Sequence, residues 1–305
     1  MVMQRSVIKG SRLPAARKEG ASIPQGAREY QFQNVEHMER VIESYMGFLH
    51  RENDSRKEVM SATQDHFPSQ FLVFSGVPSD VLEHKVSESS VIEKTYSSYY
   101  KQLGILVLKM VLRPHEQASR GFDKLLDDAL RPMGLDNQLG LCGSARVYGP
   151  QRDKQPDCSY LPRILPAGRS TRWPSVVVET ASSEGQHQVD ADARWWLENS
   201  DGDVKVAITI SIKRIGTRVI TIRRWEGTDR PTRANPHREV AELMQEIKIV
   251  RQPDGSRNRM GTAPLRLPFE KVMLHHPATS IEADILIPGE ELEALSSKVW
   301  DAQDI

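Results

Sequence analysis

Three short stretches of the chain set acids at the edges of strongly patterned elements. Arg113-Pro114-His115-Glu116-Gln117-Ala118 puts Glu116 in the opening turn of a helix. Lys154-Gln155-Pro156-Asp157 puts Asp157 directly after a proline, in a strand-like segment. Trp173-Pro174-Ser175-Val176-Val177-Val178-Glu179 puts Glu179 at the end of a run of valines. Carboxylates held by adjacent strands can converge on one point, and converging carboxylates are how proteins hold Mg2+ for phosphodiester chemistry. An unpaired carboxylate is costly to bury, so Glu179 is read first as a site residue and second as a salt-bridge partner. Asp157 is read first as a site residue and second as a turn residue. Glu116 suits the helix macrodipole as well as it suits a site. Asp192 can cap or pair with Arg194 as well as serve a site.

Other chemistries find little support. His115 has no second histidine at a zinc-ligand spacing, and His275-His276 sits in a loop. Ser182-Ser183 lacks the glycine-flanked elbow of serine hydrolases, and no phosphate-binding glycine loop occurs. Trp195-Trp196 reads as core and interface packing in preference to a base-stacking platform.

The elements that must position the acids follow from periodicity. Residues 35–50 carry Val35, Met38, Val41, Ile42, Tyr45, Met46 and Leu49 on one helical stripe. Residues 71–77 read as a strand or a buried helical turn, and 87–98 are ambiguous. The apolar run 105–112 has strand character. Pro114 stands where helices begin, and Ala118, Phe122, Leu125, Leu126 and Ala129 recur at helical spacing, so a helix is expected over 115–131. Strands are expected at 139–148, at 158–161 and at 175–178. Residues 189–198 read as a helix with Val189, Ala193, Trp196 and Leu197 inward. Val204, Val206, Ile208, Ile210 and Ile212 alternate, and 218–225 alternate again, as a hairpin around Gly216. The tail adds a charged helix near 239–247, strands at 247–251 and 281–287, and a closing helix over 290–300. The sum is an α/β fold: a mixed central β-sheet flanked by helices. Four segments are expected: a disordered basic tail (1–30), an N-terminal helical extension (31–100), a core (101–230) and a C-terminal α+β extension packing on the core (231–305).

Composition sets bounds. The 305 residues are 38% hydrophobic and 27% charged, with 41 basic and 41 acidic side chains, so no global charge announces nucleic acid. Any such partner has to rely on a local patch, and Arg152, Arg163, Arg169 and Arg172 cluster in and just before the loop 162–174. The two cysteines, Cys142 and Cys158, make no disulfide framework, which points to a reducing compartment, cytoplasmic or nuclear. The basic N-terminal stretch reads as a solvated tail before it reads as a nuclear address. The N-terminus has no apolar signal core, and no apolar run is long enough to span a bilayer, so no membrane partner is expected.

The helix–β–β–β–helix–β order, with an acid on the first helix, Pro156-Asp157 before one strand and Glu179 ending the next, resembles the PD-(D/E)XK nuclease superfamily. Within it the chain is similar to the Uma2-like restriction-endonuclease-like proteins, which share a histidine near the first helix start, Pro-Asp, Val-Val-Glu, a Ser-rich turn and a helix. It resembles more closely a group of uncharacterised fungal proteins, through 173–179, Ser183-Glu184 and Asp192-Ala193-Arg194-Trp195-Trp196-Leu197. The match covers roughly residues 100–230 and, more loosely, the tail to Trp300. The resemblance implies a restriction-endonuclease-like core and a metal-dependent endonuclease acting on DNA or RNA, with a homodimer among the expectations. It implies that Asp157, Glu179 and the carbonyl of Thr180 ligand Mg2+ (or Mn2+), and that Glu116 orients a metal-bound water.

The chain departs from the pattern at the lysine that stabilises the reacting phosphate. Two residues past Glu179 stands Ala181, and the alternative register on the following helix lands on Ala193 and then Arg194. Arg194, Lys154 and Lys205 are the candidates for the missing charge, although a guanidinium does not give up its proton. Two further readings stand beside the nuclease. One is an inactive nuclease fold used as a nucleic-acid- or protein-binding module, and the other is a structural protein with the acids in salt bridges.

Overall fold

The computed structural model describes residues 21–58, 68–86, 88–182, 186–213, 218–233, 239–252, 255–261 and 263–304. The chain forms two compact units, one of Met1–Val111 with Tyr148–Gln155 and one of Leu112–Val147 with Pro156–Ile305.

The first unit is built on a sheet of order β1-β2-β4-β3-β7-β6. Its strands are β1 (Arg28–Gln31), β2 (Phe71–Ser75), β3 (Tyr96–Tyr100), β4 (Ile105–Lys109), β6 (Val147–Tyr148) and β7 (Arg152–Lys154). Helix α1 (Val35–Glu58) buries Met38, Val41, Ile42, Tyr45 and Leu49, the stripe its spacing predicts. The short α2 (Ser79–Val81) runs into a π-turn, Leu82–Val86. Ser89 caps α3 (Ser90–Thr95) by accepting from the Ile92 amide at 3.3 Å. Two expectations are corrected here. The 31–100 segment is not a helical extension but supplies strands to a sheet, and the 105–112 strand pairs with β2 and β3 in this unit instead of opening the core sheet. Of the expected disordered tail, 1–20 lies outside the described residues, while Arg28–Gln31 pairs with β2 as a parallel strand.

The second unit opens with α4 (Arg113–Leu130), which a 3-10 turn (Arg131–Met133) and Gly134 at φ 69° bring to an end. Its sheet has the order β13-β12-β11-β10-β9-β8-β5. These strands are β5 (Leu139–Leu141), β8 (Cys158–Pro162), β9 (Val176–Ser182), β10 (Val206–Ile212), β11 (Val219–Asp229), β12 (Glu239–Arg251) and β13 (Arg257–Gly261). Strands β9 and β10 run parallel. A parallel pair needs a crossover, and α5 (Gln186–Glu198) supplies it. The core order is thus α4, β5, β8, β9, α5, β10, the expected helix–β–β–β–helix–β succession in a mixed α/β fold. A two-stranded sheet of β14 (Leu265–Leu267) and β15 (Ile285–Ile287) follows, with the short α6 (Phe269–Met273) between its strands and α7 (Gly289–Asp304) closing the chain.

Strand alternation divides the valine run between two cores. Val176 and Val178 pack with Phe122 and Leu126 of α4 and with Leu292 and Val299 of α7. Val177 packs on the other face with Ala193, Trp196 and Leu197 of α5. Helices therefore cover both faces of β9, which is why its valines read as a continuous apolar run.

The segment 239–247 corrects a further expectation, for it is strand and not helix. Glu, Ala, Leu, Met and Gln are good helix formers. Pairing with β11 along the whole of β12 overrides that preference, with one irregularity between Arg224 and Trp225. The C-terminal segment thereby extends the core sheet itself. The turn expected around Gly216 lies outside the described residues, but the strands flanking it pair antiparallel as the hairpin requires.

Candidate functional site

The site is built on the ladder between β8 and β9, where Tyr160 faces Val176, Ser159 faces Val177 and Cys158 faces Val178. Asp157 precedes β8 by one residue, so continuing this register sets it opposite Glu179. Pro156 has no amide proton to extend the pairing. The Asp157 side chain takes over, its Oδ2 accepting from the Thr180 amide at 2.6 Å.

Glu179 is 2% exposed. Its Oε1 accepts from the indole Nε1 of Trp196 at 2.7 Å. Alternation places Glu179 on the face of Val177, the α5 face, where Trp196 packs. One helical turn before Trp196, buried Asp192 accepts from Gln188 Nε2 at 3.2 Å. Buried Glu179 and Asp192 and the largely buried Asp157 thus lie in the second unit, and each accepts from an N–H donor, of Trp196, Gln188 and Thr180 respectively.

From α4 comes His115 instead of the expected Glu116. His115, Ala118, Ser119, Phe122 and Leu126 are all buried, at spacings that keep one helix face inward. His115 Nε2 stands 3.1 Å from Asp157 Oδ2. The ring is not aligned for a hydrogen bond, and His115 Nδ1 and Thr180 Oγ1 are buried without a hydrogen-bond partner among the described residues. Glu116, a further 100° around the helix, is about half exposed and pairs with Arg120 on the surface. His115→Ala is accordingly expected to destabilise the second unit by about 1–3 kcal/mol, whereas Glu116→Gln should cause no resolvable change, since an exposed i,i+4 pair contributes little. Urea unfolding of both variants checks this, and equal effects would contradict it.

Within the second unit, Ala181 and Arg194 do not supply the missing lysine's charge. Ala181 is fully buried. Arg194 is exposed, its guanidinium 5.4 Å from the centre of the Trp225 ring, a cation–π contact. Arg194 lies two positions before Trp196, so the helix turns it roughly 200° away from the side facing Glu179. Lys205 lies at the other end of the β9–β10 ladder, where its amide donates to Ser175 O at 2.8 Å and its charge acts on Glu239. Lys154 belongs to the first unit, buried in β7 opposite Ser98. Thr180 brings its amide to Asp157 where its carbonyl was expected as a metal donor. Ser183 and Glu184 lie outside the described residues.

The arginine loop 162–174 joins the ends of β8 and β9 remote from Asp157 and Glu179, three ladder steps or about 10 Å away. Arg169 is bound within the fold, to the carbonyls of Trp173 and Asp203 at 2.9 Å each and to the Asp203 carboxylate at 3.0 Å. Among the described residues no three or more His, Cys, Asp or Glu side chains form a group fit to hold a metal ion. No described helix is long and apolar enough to cross a membrane.

No protein-family model matches the chain, and no curated protein matches it. Among solved structures it is similar to a DUF820 protein from Anabaena variabilis, described provisionally as a nuclease. The two share 14% identity at a TM-score of 0.36, over 67% of this chain and 92% of that one. So distant a likeness adds nothing to the chemistry of the residues above.

Proposed function

We propose that the second unit is a metal-dependent nuclease that hydrolyses phosphodiester bonds in DNA or RNA at Asp157 and Glu179. The observation that supports this reading is the bond from the Thr180 amide to Asp157, which brings Asp157 beside Glu179, with Glu179 buried and the Asp157 side chain 10% exposed. An all-oxygen pair of this kind suits a hard cation. Mg2+ is commonly held by one or two carboxylates, several waters and the substrate phosphate, so a pair of acids suits it. The buried His115 Nδ1 and Thr180 Oγ1, unsatisfied among the described residues, lend support, because such atoms are where a water, an ion or a substrate oxygen finds partners. When bound, Mg2+ or Mn2+ would supply charge neutralisation at the phosphate and an activated water.

The chain's own residues do the rest. Asp157 and Glu179 would hold the ion, and Thr180 N–H and Trp196 N–H fix one oxygen of each. His115 touches the Asp157 oxygen that Thr180 also holds. With Ala181 at the lysine position and Arg194 turned to Trp225, the expected cleavage is slow. The same two observations favour the second reading, an inactive nuclease fold that binds nucleic acid or protein.

The test is incubation with labelled single- and double-stranded DNA and RNA, with Mn2+ or Mg2+ and with EDTA. The expected result is slow nicking that EDTA abolishes. Binding that needs no metal, with no cleavage of any substrate at high protein concentration, would replace the nuclease with the binding module.

A further inference from the structure

We infer that Trp196 is a positioning residue for the carboxylate pair, its indole N–H setting the direction in which Glu179 presents itself to a cation. The inference rests on the proposed metal-dependent function and adds a residue to it. Trp196 is fully buried, and its Nε1 stands 2.7 Å from Glu179 Oε1. An indole N–H is a donor only, so it can hold a carboxylate oxygen but cannot exchange roles with it. The ring is itself held. Trp173 meets it edge-on with centroids 6.0 Å apart, and Trp195 does so at 5.0 Å. Aromatic pairs of this kind lock ring orientation, so the direction of Glu179 Oε1 is inherited from a cluster of three tryptophans.

The molecule carries its own comparison. Trp225 also buries its indole against the same sheet, but its Nε1 donates to the neutral Thr209 hydroxyl at 3.2 Å. Thr209 is the β10 partner of Glu179. Two tryptophans thus reach neighbouring strand positions from within one core. The one facing the carboxylate makes the shorter bond, as charge assistance predicts. Outer groups that hold a metal ligand in place typically change metal affinity 10–100-fold when removed.

The test follows the indole N–H signals of the five tryptophans by NMR during a Mg2+ titration of the intact protein, with Mn2+ affinity measured in parallel by calorimetry. The Trp196 signal should move saturably while that of Trp300 stays. Trp196→Phe should weaken Mn2+ binding about tenfold or more, and Trp300→Phe, in the core cluster on the other face of the sheet, should stay within twofold. A folded Trp196→Phe protein with wild-type Mn2+ affinity overturns the inference. So does a Trp196 signal that stays still while the wild type binds the ion, an outcome that needs no variant to fold. If the wild type binds no more Mn2+ than Glu179→Gln does, the metal reading fails and carries this inference with it.

Discussion

Asp157→Asn and Glu179→Gln should each lower metal-dependent cleavage by at least about a hundredfold, the upper end of what removing a mere outer-shell partner costs. Both replacements keep shape and hydrogen-bonding capacity at an acceptor oxygen. The Thr180 amide and the Trp196 indole can still be accepted by the remaining carbonyl oxygen. What is lost is the negative charge, and hard cations bind anionic oxygen far better than an amide. Because Asp157 binds the amide of the residue next to Glu179, the double variant should be little worse than either single one, as for residues acting as a unit. Initial rates on a labelled substrate, taken at matched folded fraction, check the claim. Rates that survive either single replacement would remove that residue from the site.

Phe122→Ala should destabilise the second unit by about 3–5 kcal/mol, the usual cost of deleting a buried phenylalanine. Phe122 is fully buried on the inner face of α4. It packs in one cluster with Val176 and Val178 of β9 and Leu126 one turn further along the helix. Gly121 beside it lets Leu295 of α7 come close, where a β-carbon would clash. Collapse around the cavity is therefore hindered from both helices, which keeps the cost at the high end of the range. Denaturant unfolding followed by tryptophan fluorescence reports it, since Trp173, Trp195, Trp196 and Trp225 all lie in this unit. A loss below about 1 kcal/mol would mean that α4 does not pack on the sheet as described. Since α4 also carries His115 to Asp157, a loosened helix should lower cleavage as well as stability.

Much of the fold around the candidate site was legible in the chain alone. The valine run and the alternating Val206, Ile208, Ile210 and Ile212 define β9 and β10, and the spacing of Ala118, Phe122 and Leu126 defines α4. These periods follow from which side of an element is buried, which is a local property of the sequence. Asp157, just before β8, and Glu179, after the valines of β9, could therefore be singled out before the ladder register was known. The same helical period held a signal that was passed over: extended backward by three residues from Ala118 it reaches His115, not Glu116.

The tertiary structure alone decided what depends on partners distant in the chain. Ile105–Lys109 has the composition of any buried strand, and its place between β2 and β3 is a matter of which edges were open to it. Glu239–Arg251 is written in helix-forming residues, yet the open side of β11 offered it a hydrogen-bonded ladder with burial for Ala241, Ile247 and Ile249. Arg194 carried the right charge at nearly the right register, but the helix turns it to Trp225 while Trp196 turns to Glu179. Periodicity tells which residues face inward. It does not tell what they will meet there, because long-range pairing is settled by the competition of all elements for the same buried surface.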